Sequence, residues 1–366
     1  FDSRSTPHML EHISIDRVRN LSSVSIDLHP GATALFGANG SGKSSFLEAI
    51  HVLGVGRSFR THQSRPVIQY GQHECRVVCQ VCQHGRSFTM GIEKHRDSSV
   101  RARIDGANVA SLSELARAMP LVLLDTDSLG LVIGPPEGRR RLLDGTLFHV
   151  EQSFLPLWRR YAQAMRQRNA GLRHGMLDGD VAWRQELAET GERLTKSRMR
   201  MADAVSAKLA DMAPQLSNDL AEVSVVFRPG WDKQVSLREA LERNAQSDAG
   251  QGFTQVGPHR GDLRFMVDGE MAADVLSRGQ LKLLLIALKL AQGRLIEVGG
   301  NGQPVYLVDD LPAELDRAHC ANVCAQLAVD RQVILTSVDR GSLEAAWGDT
   351  PLRLFHVEQG RIALQD

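Results

Sequence analysis

The chain has 366 residues, of which 42% are hydrophobic, 23% charged and 5% aromatic. These fractions match globular proteins and exclude disordered, collagen-like and disulfide-scaffold classes. Lysine plus arginine equals aspartate plus glutamate at 43 each, so any surface for an acidic polymer has to be a local patch.

At roughly 150 residues per domain, the length fits two domains or one large domain with an inserted lobe. Residues 1–8 show no periodicity and are expected to be a leader or cloning remnant outside the fold. From Met9 the pattern is β-rich. Ile13, Ile15 and Val18 alternate with polar residues, Val24–Leu28 alternates again, and Ala32–Phe36 runs into a glycine-rich turn and a helix starting near Lys43. Further strands are expected at 75–82, 87–92 and 100–105, the last ending in Asp105-Gly106, and a buried strand at 121–124. After Pro135-Pro136 the pattern is helical to about 215, and residues 137–200 carry 13 Arg plus Lys against 8 Asp plus Glu. That surplus suits a solvated helix face as well as a DNA surface. Strands return at 223–227 and 263–268. A long helix is expected at about 280–297, a strand at 304–309, a helix at 316–329, a strand at 332–336 and a closing hairpin at 352–364.

Five cysteines without a secretory segment point to a reduced, cytoplasmic setting, and no apolar run approaches the ~20 residues of a membrane span. Cys79 and Cys82 with Cys320 and Cys324 have the spacing of a zinc site, but strand patterning around the first pair favours small hydrophobic fillers.

The strongest motif is Gly37-Ala38-Asn39-Gly40-Ser41-Gly42-Lys43-Ser44, followed by Ser45, which fits G-x-x-x-x-G-K-[ST] between a strand and a helix. Its glycines let backbone N–H groups curl round an oxyanion, the helix N-terminus adds positive potential, and Lys43 reaches the β- and γ-phosphates. Ser44 is the expected Mg²⁺ ligand. Pro304-Val305-Tyr306-Leu307-Val308-Asp309-Asp310 is an apolar strand ending in two acids. Asp309 is placed to hold Mg²⁺ and Asp310 to polarise the attacking water. Ser277-Arg278-Gly279-Gln280, before the long helix, resembles the Ser-Gly-Gly-Gln signature of ABC-type ATPases; a serine there is also an ordinary helix N-cap.

With these elements the sequence resembles the RecF family, ATPases related to the heads of SMC and Rad50 proteins, over essentially all of 9–366. The resemblance rests also on Arg19-Asn20, Gly56-Arg57-Ser58-Phe59-Arg60, Pro136-Glu137-Gly138-Arg139-Arg140-Arg141-Leu142-Leu143-Asp144 and Gly257-Pro258-His259-Arg260. It implies an α/β fold: an ABC-type P-loop ATPase head (9–135 and 251–366) with an antiparallel β region and an inserted, mainly helical lobe (136–250). It further implies ATP and Mg²⁺ as cofactors and an ATP-dependent homodimer in which Ser277 of the partner subunit caps the γ-phosphate. Duplex and gapped DNA, a RecR-like partner and, indirectly, RecA recombinase are the implied partners, with slow, DNA-stimulated hydrolysis. Arginines of 139–141 and 159–173 are the candidate DNA contacts, and Arg19 and Asn20 the positional candidates for adenine. Gly261 replaces a usual aspartate beside Asp262, Ala313 a usual serine in Ala313-Glu314-Leu315-Asp316, and Thr336-Ser337 stands at a switch position that is often histidine.

Three other classes share parts of this pattern. A transporter's nucleotide-binding subunit has the same ATP chemistry, but the Arg-rich helical segment and the altered signature argue against it. A non-hydrolysing nucleotide-sensing scaffold is compatible with every motif. An SMC or Rad50 chain needs far longer heptad segments than 137–250 provides.

Overall fold

The computed structural model describes residues 9–61, 63–83, 85–176, 178–299 and 302–365; the expected leader 1–8 lies outside them. The chain divides into two compact units, one formed by the chain up to Asp127 together with Ile296 onward, the other by Ser128–Leu295.

The first unit begins with β1 (Met9–Val18), β2 (Leu21–Asp27), β3 (Ala32–Phe36) and α1 (Lys43–Val55). It continues through β4 (Glu74–Gln83), β5 (Arg86–His95), β6 (Val100–Ile104), β7 (Ala107–Asn108), α2 (Leu112–Ala118) and β8 (Leu121–Leu124). Strands β2-β1-β4-β5-β6-β7 form an antiparallel sheet in that order. Its inward residues, among them Ile13, Ile15, Val77, Cys79, Val81 and Ile92, alternate with outward polar ones as a half-buried strand requires. Asp105 and Gly106 both take positive φ (48° and 79°), the two-residue hairpin turn expected of Asp-Gly.

The second unit carries α3 (Gly130–Ile133), α4 (Pro136–Val150), α5 (Phe154–Arg173), the 37-residue α6 (Asp180–Leu216), β9 (Val223–Arg228) and α7 (Leu237–Gln251). It then adds β10 (Asp262–Val267), β11 (Glu270–Met271), α8 (Ala272–Val275) and most of α9 (Arg278–Val298). Strands β11-β10-β9 make a small antiparallel sheet. Composition alone does not delimit α7, but Ser236 caps it by accepting from Glu239 N, and Gly252 ends it in the left-handed conformation (φ 76°).

The chain then returns to the first unit as β12 (Val305–Val308), α10 (Leu311–Glu314), α11 (Arg317–Leu327), β13 (Val333–Ser337), α12 (Arg340–Trp347), β14 (Leu352–Glu358) and β15 (Arg361–Gln365). The second large sheet has the order β15-β14-β3-β13-β12-β8, parallel except for β15. Strands β12 and β13 are buried at every position, hence their unbroken apolar runs. Helix α1 touches strands of both large sheets, so ten of its 13 residues are buried and a single apolar stripe would not suffice. Phe46, Leu47, Ile50 and Leu53 from α1 join Leu35, Val305, Leu307 and Ile334 in one core.

Candidate functional site

The P-loop leaves β3 at Gly37 and enters α1 at Gly42. Gly37, Gly40 and Gly42 have φ of 155°, 77° and 125°, conformations that only glycine takes readily. At Gly37 space is lacking as well: a Cβ would sit 2.2 Å from the Val357 carbonyl oxygen of β14. Gly42 starts α1 without a side-chain cap, so the first N–H groups of the helix are left for an anion. The loop is braced from outside. Gly360 N donates to Ser41 O (2.7 Å), Asn20 Nδ2 donates to Gly40 O (3.1 Å), and Ser45 Oγ donates to Asn20 Oδ1 (2.9 Å).

Lys43 is 6% exposed, and its Nζ donates to Gly37 O (2.7 Å) and Ala38 O (3.0 Å). Burial pushes its pKa down, while Asp310 and Asp309 pull it back up. The two acids follow β12 at the carboxyl end of the parallel strands, the edge at which α/β sheets present their ligands. Ser44 Oγ donates to Asp309 Oδ1 (2.9 Å), and Thr336 Oγ1 from β13 donates to the same oxygen (2.8 Å) while accepting from Asp310 N (3.0 Å). One hydroxyl thus fixes both acids. Asp310 is held in the left-handed conformation (φ 47°), and its buried Oδ1 has no partner. Burial raises its pKa, with Lys43 opposing and Asp309 reinforcing the shift.

This cradle fits a nucleoside triphosphate. Ser41 Oγ and Asp310 Oδ1 are buried orphans, a buried ammonium rests on two carbonyls, and a serine hydroxyl meets a carboxylate where a divalent cation would take both oxygens.

Behind it lies a shell that the motifs do not spell out. Glu48 of α1 is fully buried and accepts from Arg19 Nε (2.8 Å) and Nη2 (2.7 Å) and from Ser58 Oγ (2.5 Å). Ser58 Oγ in turn accepts from Arg60 N and Thr61 N. The Arg19-Asn20 and Gly56–Arg60 segments are therefore both tied to the P-loop helix. Arg19, a positional candidate for adenine, spends its guanidinium on Glu48, and Asn20 spends its amide on the loop.

The signature segment lies in the other unit. Ser277 and Gln280 form a reciprocal cap at the start of α9: Ser277 N donates to Gln280 Oε1 (2.8 Å) and Gln280 N to Ser277 Oγ (3.3 Å), while Gln280 Nε2 donates to Asp219 Oδ2 (2.9 Å). Ser277, Arg278 and Gly279 are exposed. The ordinary N-cap reading of Ser277 is thus correct, and it is compatible with the other: as an acceptor, the hydroxyl still has its own proton to donate.

The arginine expectation needs correction. Arg139 is 4% exposed and donates to Asp262 Oδ1 (2.8 Å) and Gly134 O (2.6 Å). Arg168 is 1% exposed and binds Asp180 (2.8 Å), Asp248 (2.7 Å) and Thr254 (2.9 Å). Neither can reach a DNA backbone. Arg160 is paired with Glu186, and Arg141 with Glu137. Cys75 and Cys79 lie in the core of the first unit, as fillers.

Fold and site together define an ABC-type ATPase head. The family model described as RecF/RecN/SMC N terminal domain matches residues 9–363. The chain is 44% identical over 360 residues, covering 96% of each chain, to the DNA replication and repair protein RecF of Stutzerimonas stutzeri (strain A1501). It is 43% identical over 359 residues, 97% of each chain, to that of Pseudomonas aeruginosa (strain LESB58). The solved structure of the recombination mediator protein RecF with ATP, of the RecFOR pathway, matches the whole of both chains with a TM-score of 0.88 at 22% identity. The Smc head domain from Pyrococcus furiosus matches with 0.59 over 98% of this chain and 96% of that one, at 17% identity. The chain belongs to the RecF/RecN/SMC family, in its RecF branch of DNA replication and repair proteins. No helix among the described residues is long and apolar enough to cross a membrane.

Proposed function

We propose that the protein is an ATP-gated DNA clamp of recombinational repair, acting in the cytoplasm, with its phosphate cradle in the first unit and its signature segment in the second, Ser128–Leu295 rather than a lobe of 136–250. ATP occupies Gly37–Ser45, with Lys43 exchanging its two loop carbonyls for the β- and γ-phosphates. Ser44 and Asp309 hold Mg²⁺, which when bound neutralises charge developing on the phosphate oxygens. Asp310 accepts a proton from the attacking water, a role suited by its raised pKa and unpartnered Oδ1.

Ser277 of the partner subunit donates its hydroxyl proton to the γ-phosphate, with Arg278, Gly279 and Gln280 of that subunit forming the helix end behind it. Two ATP molecules are then sandwiched between two protomers. Hydrolysis removes the group that both protomers recognise, and the dimer opens. The closed dimer binds duplex DNA and single-strand/double-strand junctions, works with a RecR-like partner and assists loading of RecA, with slow, DNA-stimulated turnover. The observation that carries this reading is the linked set Ser44–Asp309–Thr336–Asp310 beside a buried Lys43. It is a phosphate site with the metal and the water each given a separate acid.

The test is fluorescence anisotropy of a gapped duplex titrated with the protein in ATP, in ADP and without nucleotide at fixed salt. Tighter binding in ATP alone is expected; equal binding in all three states refutes ATP gating of DNA.

A further inference from the structure

The second unit contains a cavity of about 380 Å³ framed by one face each of α4, α5 and α6. Helix α4 contributes Arg140 and Arg141, α5 contributes Trp158 and Arg166 eight residues apart on one face, and α6 contributes Arg198. These four arginines face only two acids, Glu137 and Asp144.

The floor is chemically closed. Arg198 makes a two-pronged pair with Asp144 (2.8 Å each) and donates to Pro258 O (2.6 Å). His259 lies between Tyr161 OH (2.8 Å) and Thr254 O (3.0 Å).

The rim is open. Arg166 is exposed and has no hydrogen bond or ion pair among the described residues. Arg140 spends one nitrogen on Gly261 O (2.8 Å), is partly desolvated, and is repelled by the Arg198 guanidinium, a strain that an incoming anion relieves. The Arg141–Glu137 pair is more than half exposed at both ends and holds neither side chain firmly. Trp158 is 39% exposed, a large aromatic on the wall of a cationic hollow.

We propose that this cavity holds one unpaired nucleotide of a single-stranded segment, with its phosphate on Arg140 and Arg166 and its base against Trp158. The proposal rests on the DNA-binding reading above and adds where the single-stranded part of a gap is felt. An acidic peptide would use the arginines but gain little from the indole, whereas every base has a face that stacks on it. A paired base cannot enter, because its faces are already covered within the duplex.

The experiment compares a labelled duplex with the same duplex carrying a single-strand gap, with and without ATP. Trp158→Ala is expected to weaken binding of the gapped DNA about tenfold and to leave the uninterrupted duplex and ATP affinity unchanged. Arg166→Ala is expected to weaken the gapped DNA and lower its salt slope by about 0.7. Arg166 is exposed and Trp158 is 39% exposed, and unchanged ATP affinity in both variants reports that they fold. Equal weakening of both DNAs by Trp158→Ala, or no weakening of either, overturns the nucleotide site. Competition by polyglutamate as effective as by oligo(dT) overturns it in favour of an acidic protein partner. ATP dependence of the wild-type protein on uninterrupted duplex reports the clamp separately, so either reading can fail while the other stands.

Discussion

The two units spend their charges differently. In the first, Lys43 and Asp310 are gathered beside Asp309 without opposite charges in hydrogen-bond contact: the ammonium sits on loop carbonyls and Asp310 Oδ1 has no partner. In the second, Arg139 and Arg198 are held by carboxylates and backbone oxygens inside the helical packing, and Arg168 by Asp180, Asp248 and Thr254 with its Nη2 left over. A buried cation resting on backbone carbonyls beside an unpartnered acid marks a ligand site, and buried cations matched by carboxylates mark architecture. The lobe's basic composition therefore overstates its DNA surface.

The sharpest way to break this comparison is to delete one cation from each region. Arg168→Ala leaves the fully buried Asp248 without its cation, while Asp180 keeps Arg184, and should cost about 3–5 kcal/mol of stability in urea unfolding. Lys43→Met should cost far less stability and abolish ATP-driven dimers in light scattering. If Arg168→Ala proved benign while Lys43→Met unfolded the protein, the roles assigned to the two regions would be reversed.

Within the first unit, Asp310 separates binding from chemistry. Asp310→Asn should keep ATP affinity and lower single-turnover hydrolysis by about 10²-fold or more. The pH profile has a definite sign. Burial raises the Asp310 pKa, so the wild-type rate should fall on the acid side at a higher pH than an unburied aspartate would give. The Asn variant should lose that limb. Unchanged turnover would remove Asp310 from the mechanism.

The signature joins the comparison through the dimer. Ser277→Arg should leave ATP binding by each monomer nearly intact and block dimer formation. A collapse of monomeric ATP affinity would mean that Ser277 acts within its own chain.

Legibility in the sequence followed locality. Gly37–Ser44 and Val305–Asp310 are contiguous, so their roles can be read from spacing and from the strand or helix beside them. The strands that bury both faces, β12 and β13, announce themselves as apolar runs. Thr336 shows its importance only when β13 lies beside β12 and its hydroxyl reaches Asp309. Glu48 looks like any acid in a helix until Arg19 and Ser58 converge on it, and Gly360 looks like a plain hairpin turn until its N–H meets Ser41. Arginine counts misled for the same reason. Charge is visible in the sequence, but Asp180, Asp248 and Asp262, which cancel it, lie 12, 80 and 123 residues from their partners.

The smallest effect probes how complete the satisfaction of the second unit is. Thr254 O lies at His259 Nε2, which fixes the proton on that nitrogen and makes Nδ1 an acceptor for Tyr161 OH. Burial first, and the Arg260 and Arg140 charges after it, lower the His259 pKa to about 4, despite the Thr254 carbonyl and Asp248 pulling the other way. The folded state thus holds a neutral imidazole whose unfolded pKa is about 6.5. Its contribution to stability is complete above about pH 6.5 and declines as pH falls toward about 4. Tyr161→Phe removes the donor and should cost about 1 kcal/mol at neutral pH. The cost should shrink near pH 5, because a free Nδ1 is easier to protonate in the folded state. Urea titrations of both proteins at the two pH values decide it: an equal cost at both would mean that Tyr161 contributes by packing alone and that its hydroxyl does not set the protonation of His259.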